Sequence, residues 1–264
     1  MHSFEYRDPR SLVEAESTLR DMGGAKLLAG GMSLIPVLRL RLAEVPALID
    51  LNRIEVLAGI TVSNGVVRIG SMTRHAIVAA SAEVKATIPA LSVLAGGIGD
   101  PLVRNRGTIG GSLANNDPSA CYPSALLGLD STVITQRRRI AGDAFITGMF
   151  QTVLTTDEII TAVEFSVPHC AAYVKFANYS SRFSIVGVFL SRYLSGVRVA
   201  VTGAGAHAFR ATDLERALSR DFSATAIEDI TLDPENLMSD LHASAEYRAH
   251  LIKVLTQRAV MACI

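Results

Sequence analysis

Apolar and polar residues alternate with a period of two through residues 59–70, and the alternation breaks at Asn64-Gly65. That dipeptide favours the positive φ angles of a two-residue turn, so the segment predicts a β-hairpin. A second hairpin is predicted around Gln136-Arg137-Arg138-Arg139, and a strand over 159–167. Nearer the start, Ser11-Leu12-Val13-Glu14 reads as a capping box, in which hydroxyl and carboxylate satisfy first-turn N–H groups reciprocally. The helix it opens runs to about Met22, where Gly23-Gly24 stops it. Short apolar runs at 26–29 and 47–51 predict buried strands. Between them a helix over 33–42 tolerates Pro36 in its first turn, where backbone donors lack partners anyway. Helices are predicted at 73–80 and 89–96, then an irregular glycine-rich segment over 97–118. Beyond Pro168-His169 come three predicted strands (173–177, 184–190 and 197–202) and helices at 213–218 and about 245–260. Strands and helices mix without an internal repeat, which predicts an α+β fold of two domains with the boundary at Pro168-His169.

Composition narrows the function. Hydrophobic residues make up 49% of the 264 and charged ones 19%, ample for a core and against disorder. Lysine plus arginine number 25 and aspartate plus glutamate 25, leaving no surplus charge to grip a polyphosphate backbone; a nucleic-acid partner is not expected. Charge is balanced on both sides of the boundary, with 15 basic and 16 acidic residues before it and 10 and 9 after. No apolar run approaches the roughly 18 residues of a membrane span, and charges stand where a signal peptide would place its apolar stretch, so a cytoplasmic location is expected. The three cysteines, Cys121, Cys170 and Cys263, are far apart and form no C-x-x-C. They cannot supply the four ligands of an iron–sulfur cluster or a structural zinc. Redox chemistry here would need a borrowed organic cofactor.

Two loops carry candidate chemistry. The first, Ala29-Gly30-Gly31-Met32-Ser33-Leu34-Ile35, runs strand to glycine turn to helix. Tandem glycines remove the Cβ atoms that would keep a ligand off the backbone, and unpaired N–H groups at a helix start suit a pyrophosphate. A plain turn capped by Ser33 is the competing reading. The second loop, Arg104-Asn105-Arg106-Gly107-Thr108-Ile109-Gly110-Gly111-Ser112-Leu113-Ala114-Asn115-Asn116-Asp117-Pro118, again pairs Gly-Gly with flanking hydroxyls. Such a row of donors can wrap the second face of a diphosphate without lysines. A solvated glycine-rich loop is the competing reading, weakened by the presence of two hydroxyl-flanked glycine loops in one domain.

These loops resemble the two flavin-binding signatures of the FAD subunit of molybdenum hydroxylases, the family of the carbon monoxide dehydrogenase medium subunit and the xanthine dehydrogenase FAD domain. The resemblance extends to Ile49-Asp50-Leu51-Asn52, Gly70-Ser71-Met72-Thr73-Arg74-His75, the whole run from Gly99 to Ser112, Asp157-Glu158-Ile159-Ile160, Lys175-Phe176 and Val186-Gly187-Val188. It covers nearly the whole chain. It implies a PCMH-type (VAO-like) FAD-binding domain over 1–167, built of two α/β subdomains at about 1–55 and 56–167. A C-terminal domain over 168–264, with a three-stranded antiparallel sheet and helices, would follow. It implies FAD bound non-covalently, with Ala29, Gly30, Gly31, Met32, Ser33, Leu34 and Ile35 as one wall. Thr108, Ile109, Gly110, Gly111 and Ser112, with Asn115, would make the other. Ile98 would fall near the adenine, and Ile160 and Lys175 near the isoalloxazine ring.

The chain departs from the family in places. Many relatives carry Asp at the position of Cys121, where the carboxylate binds the FAD ribose; a thiol is a weak acceptor, so Asp117 or a backbone group is expected to serve instead. Arg182-Phe183-Ser184 stands where many relatives place an acid and an aromatic facing the flavin, and Met32 replaces a histidine of some. A G-x-G-x-x-A run, Gly203-Ala204-Gly205-Ala206-His207-Ala208, mimics the dinucleotide fingerprint with Asp229 downstream. Its next helix signal, at Thr212-Asp213, comes too late for that motif, and a turn is expected. Arg137, Arg138 and Arg139 read as a solvated tip or a partner contact, His75 as a capping or core residue, and Cys170 and Cys263 as chemically idle.

The function implied is electron relay as an oxidoreductase subunit. A large molybdenum-cofactor subunit would oxidise the substrate, a small subunit with two [2Fe–2S] clusters would conduct electrons, and FAD in this chain would pass them in pairs to a final acceptor. The family commonly forms a dimer of heterotrimers. No residue need be a catalytic nucleophile, and no metal site is expected in this chain. Two alternatives remain: a flavin-free scaffold subunit, and a stand-alone FAD oxidoreductase.

Overall fold

A computed structural model describes residues 1–263. Its first unit holds strand β1 (Glu5–Arg7), helix α1 (Leu12–Asp21), β2 (Lys26–Leu28), α2 (Leu34–Arg39) and β3 (Ala47–Asp50). The three strands form a parallel sheet in the order β1-β3-β2. The Ser11 hydroxyl caps α1, accepting the Glu14 N–H at 3.2 Å; the Glu14 carboxylate reaches past Ser11 to the Arg10 N–H. Ala15 and Leu19 of α1 pack on Ala47 and Ile49 of the central strand. On the other side of the sheet, α2 lays Leu38 against Leu48.

The second unit begins with β4 (Ile60–Ser63) and β5 (Val66–Gly70), turning at Asn64 and Gly65, whose φ angles of 52° and 73° are those a two-residue hairpin requires. Six helices follow: α3 (His75–Ala80), α4 (Ala82–Thr87), α5 (Pro89–Gly96), α6 (Pro101–Arg106), α7 (Ile109–Asn115) and α8 (Tyr122–Gly128). The chain then forms β6 (Ser131–Thr135), β7 (Arg139–Ala141), α9 (Gly142–Phe145), the small hairpin β8 (Ile146–Gly148) and β9 (Gln151–Thr152), and β10 (Ile160–Ser166). β10 pairs antiparallel with both β5 and β6, giving the order β4-β5-β10-β6-β7. Val67, Ile69, Val133, Val163 and Phe165 of this sheet pack against Leu91, Leu94, Ile109, Tyr122 and Leu126 of the helices.

The third unit is an antiparallel sheet of β11 (Cys170–Ala177), β12 (Ser184–Tyr193), β13 (Gly196–Thr202) and β14 (Phe209–Arg210), followed by α10 (Thr212–Arg220) and α11 (Ala245–Ala262). Val188, Leu190, Val199 and Val201 face Leu214, Leu218, Leu251 and Leu255 of these helices. Phe189 points the opposite way, into the core of the second unit. Burial on both faces explains why β12 reads as a continuous apolar run rather than an alternation.

Three sequence expectations are corrected. Residues 97–118 are not irregular: they form α6 and α7, capped by Asp100 and Thr108, whose side chains accept the Val103 and Gly111 N–H groups. Each helix is under two turns, too short to show a period. Helices α4 and α8 went unpredicted; α8 is buried along its whole length, so it has no polar face to mark it. The C-terminal sheet has four strands, with β14 added to the three predicted.

The G-x-G-x-x-A run behaves as the turn expected. Gly203 adopts φ 82° after β13, its N–H donates to the Pro118 carbonyl, and α10 starts only at Thr212.

Candidate functional site

The two glycine loops meet. Loop one leaves β2 at Leu28, and its carbonyls are held by β3: the Leu51 N–H donates to Leu28 O at 3.0 Å, and the Asn52 side-chain amide donates to Ala29 O at 2.9 Å. Gly31 then takes φ 76°, a left-handed conformation that a side chain resists. Around this bend the Gly30, Gly31, Met32, Ser33 and Leu34 N–H groups have no protein acceptor among the described residues. Ser33 precedes α2 without capping it, so its hydroxyl is also available.

Loop two is held from behind by the segment after β5. The His75 N–H donates to Gly107 O, Ile109 to Thr73 O and Gly110 to Ser71 O, at 2.9, 3.2 and 2.8 Å. The Gly111 and Ser112 N–H groups turn back to Thr108, onto its hydroxyl and its carbonyl. The second loop therefore offers few unpaired backbone donors; its glycines serve packing. A Cβ on Gly110 would lie 2.6 Å from the Ser71 Cβ, and one on Gly107 would lie 2.6 Å from the His75 Nε2.

Between the loops lies a cavity of about 560 Å³, within the ordinary range for a bound organic molecule. Of the first predicted wall, Ala29, Gly30, Gly31, Met32, Ser33 and Leu34 line it. Of the second, Thr108, Gly110, Gly111, Ser112 and Asn115 do, together with Ile98, Asp117 and Ile160. Ile35, Ile109 and Lys175 do not. Ile35 packs toward Leu38 and Leu48 under α2, and Ile109 is wholly buried in the main core. Lys175 lies behind the lining. Its ammonium donates to Gly97 O at 2.6 Å and Arg182 O at 3.0 Å, and stands 3.6 Å from the Cys121 sulfur.

The cavity also takes residues that sequence reasoning did not place there. Ser71, Met72 and His75 come from the Gly70-to-His75 motif, quoted above only for its resemblance. Glu158 and Ile159 arrive from the turn before β10; Arg182 and Phe183, set facing the flavin by the family resemblance, do line the cavity from the β11–β12 loop. Burial, with Arg104 nearby, pushes His75 down to about 4, so near pH 7 the imidazole is neutral, has no proton to give as an imidazolium acid and is only weakly basic. Its Nδ1 and the Ser71 hydroxyl lack hydrogen-bond partners among the described residues. Glu158 is the opposite case: hydrogen bonds from Arg138, Thr135 and the Thr155 N–H hold it down to about 2, hence ionised. Arg137, Arg138 and Arg139 are paired with Asp157, Glu158 and Glu164, so the arginine tip is a laced structural corner.

A row of five backbone donors with a hydroxyl beside it suits a diphosphate held by dipoles, with Lys26 and Arg182 also on the cavity lining. The apolar lining from Ile98, Ile159, Ile160 and Phe183 suits planar rings. Among the described residues no three His, Cys, Asp or Glu side chains converge as metal ligands, and no helix is long and apolar enough to cross a membrane.

Residues 2–169 match the family described as the FAD binding domain in molybdopterin dehydrogenase, and residues 171–263 match the CO dehydrogenase flavoprotein C-terminal domain. The chain is 35% identical to the nicotine 6-hydroxylase medium subunit of Paenarthrobacter nicotinovorans, over 98% of this chain and 96% of that one. It is 34% identical to the carbon monoxide dehydrogenase medium chain of Hydrogenophaga pseudoflava, over the same shares. Among solved structures it superposes on the Hydrogenophaga pseudoflava carbon monoxide dehydrogenase that lacks the Mo-pyranopterin moiety with a TM-score of 0.88 at 32% identity, covering 99% of this chain and 97% of that one. Quinoline 2-oxidoreductase from Pseudomonas putida 86 gives the same TM-score at 30% identity, with the same coverage.

Proposed function

The chain belongs to the FAD-binding family of molybdopterin dehydrogenases, and from that membership we propose that it is the flavin-carrying medium subunit of a molybdenum hydroxylase complex. The observation that carries the reading is the unpaired donor row of Gly30 to Leu34, facing an apolar-lined cavity of flavin-compatible size. In this reading the backbone of Gly30 to Leu34 and the Ser33 hydroxyl hold the diphosphate. Thr108, Gly110, Gly111, Ser112 and Asn115 close over it, Asp117 serves the ribose, and Ile98 and Ile160 flank the rings. Ile35, Ile109 and Lys175 act one layer out, supporting the wall. FAD supplies the conversion between single electrons and electron pairs; this chain binds it, orients it and keeps water from it.

Electrons would arrive from [2Fe–2S] clusters of a small subunit, and substrate oxidation would occur at the molybdenum cofactor of a large one. Relatives named for nicotine and for carbon monoxide share this subunit, which fits a substrate chosen in another chain. A cytoplasmic dimer of heterotrimers belongs to the same proposal. So does the division into domains 1–167 and 168–264, with subdomains meeting near residue 55. The separate sheets, and family matches that end at 169 and begin at 171, support that division.

The test is the absorption spectrum of the purified chain, with mass identification of what denaturation releases. Near-equimolar FAD is the expected outcome. A chain that stays colourless with excess FAD, alone and within the co-expressed complex, would make it a flavin-free scaffold. FAD without co-purifying iron and molybdenum partners, together with turnover by the chain alone, would make it a stand-alone oxidoreductase.

A further inference from the structure

The Ile49-Asp50-Leu51-Asn52 motif contributes no polar group to the cavity, yet Asn52 ends the hydrogen-bond ladder on which the first glycine loop hangs. The parallel register of β2 and β3 runs Lys26 to Leu48, Leu27 to Ile49 and Leu28 to Asp50, and the last backbone rung is Leu51 N–H to Leu28 O. One residue on, the loop must turn away into Gly30 and Gly31, and no backbone rung remains. The Asn52 side chain replaces it, donating through Nδ2 to Ala29 O at 2.9 Å.

The donor is itself held. Asp50 Oδ1 accepts from the Asn52 backbone N–H at 2.9 Å and from the same Nδ2 at 2.6 Å, while Asp50 Oδ2 accepts the Tyr6 hydroxyl at 2.7 Å. An amide meets the requirement because it places a donor two bonds beyond Cβ. A carboxylate of the same shape would put negative charge against both Ala29 O and Asp50.

We propose that Asn52 is a positioning residue for cofactor binding: by holding the Ala29 carbonyl toward β3, it fixes the peptide planes that follow, so that the Gly30-to-Leu34 N–H groups face the diphosphate together. This rests on the cavity being the FAD site, and the two ideas fail separately. Asn52 is exposed and makes no contribution to the core, so its replacement leaves the fold standing.

The experiment measures FAD affinity of the full apo-chain by flavin fluorescence, and ADP as a competitor carrying the diphosphate without the flavin ring. N52D and N52A are compared with wild type, with thermal melts of each. N52D is expected to weaken FAD about tenfold and ADP by the same factor, and N52A about three- to fivefold, with the melts little changed. That order marks an electrostatic role, since lost packing would make the alanine the worse variant. Wild-type FAD affinity in both variants, N52A weaker than N52D, or an unchanged ADP constant would each overturn the proposal. Should N52D not fold, N52A alone decides it by whether FAD and ADP weaken together. A wild-type chain that takes up no FAD, alone and within the co-expressed complex, would overturn the cofactor reading itself, and with it this extension.

Discussion

Gly30 of the first loop lies back to back with Gly107 of the second: a Cβ on Gly30 would stand 2.7 Å from the Gly107 Cα, and closer still to the Arg106 carbonyl. The neighbouring atoms are backbone, which cannot swing aside as a side-chain tip can. The spacing of the cavity's two walls is therefore set at a glycine–glycine contact.

Gly30→Ala should force the loops apart, costing about 1–3 kcal/mol as overpacking does and lowering FAD affinity at least tenfold. Gly23→Ala is the control, since nothing lies within 4 Å of the Cβ it would add; it should stay within about 1 kcal/mol of wild type. Thermal unfolding and flavin titration of the two variants check this.

His75 gives a pH dependence with a definite sign. Its folded pKa of about 4 lies below the ordinary 6.5, chiefly because burial disfavours the imidazolium. Between those values the unfolded chain binds a proton that the folded chain does not. The contribution is therefore fully present above pH 6.5 and is lost as pH falls toward 4, amounting to about 3 kcal/mol over the window. Urea unfolding of wild type and His75→Gln at pH 7 and pH 4.5 isolates it. Wild type should lose more stability than the variant between the two pH values.

Glu158 runs through a lower window. Hydrogen bonds from Arg138 hold its pKa to about 2 against an ordinary 4.5, so its stabilisation is complete above about pH 4.5 and disappears as pH approaches 2. Glu158→Gln should cost roughly 2–3 kcal/mol at pH 7, because Arg138 and Thr135 lose a buried acceptor. Denaturant unfolding of both proteins should show the difference shrinking from pH 5 to pH 2.5.

Lys175 ties the β11–β12 loop to the wall of the cavity. No carboxylate stands within 4 Å of its ammonium among the described residues, and its partners are the Gly97 and Arg182 carbonyls and the Cys121 sulfur. Arg182 itself is held at φ 61°, a left-handed conformation costly for a side-chain-bearing residue. Lys175→Met should release the loop at a cost of about 1–2 kcal/mol. Limited chymotrypsin digestion at the fully exposed Tyr179 should then accelerate several-fold. An unchanged cleavage rate would show that the loop holds itself.

Much of this architecture was legible because its signals are local. Asn64-Gly65 names its own turn, Ser11 its own cap, and Gly30-Gly31 the turn between strand and helix. What stayed hidden was either short or buried on every side. Helices α6 and α7 span six and seven residues, less than the two turns needed for a periodicity to appear. Helix α8 is buried all round because the second and third units enclose it, so no exposed polar face marks it. His75 and Glu158 carry no sequence mark of their pKa values, since those follow from what folds against them.

The amino-acid sequence by itself determined the two glycine loops, the strands that launch them, the absence of cluster-forming cysteines and the family resemblance, all properties of contiguous residues. Only the tertiary structure decided that the loops' glycines serve different ends. Gly31 leaves backbone donors unpaired around a bend, Gly30 lets the two loops touch, and Gly107 and Gly110 let loop two press onto His75 and Ser71. It also decided that Lys175 sits behind the cavity wall rather than in it, and that Asn52 supplies the missing rung. The physical reason is common to all of these. A glycine or an amide has no fixed role in the sequence; the role comes from the atoms that packing brings within hydrogen-bond or van der Waals reach.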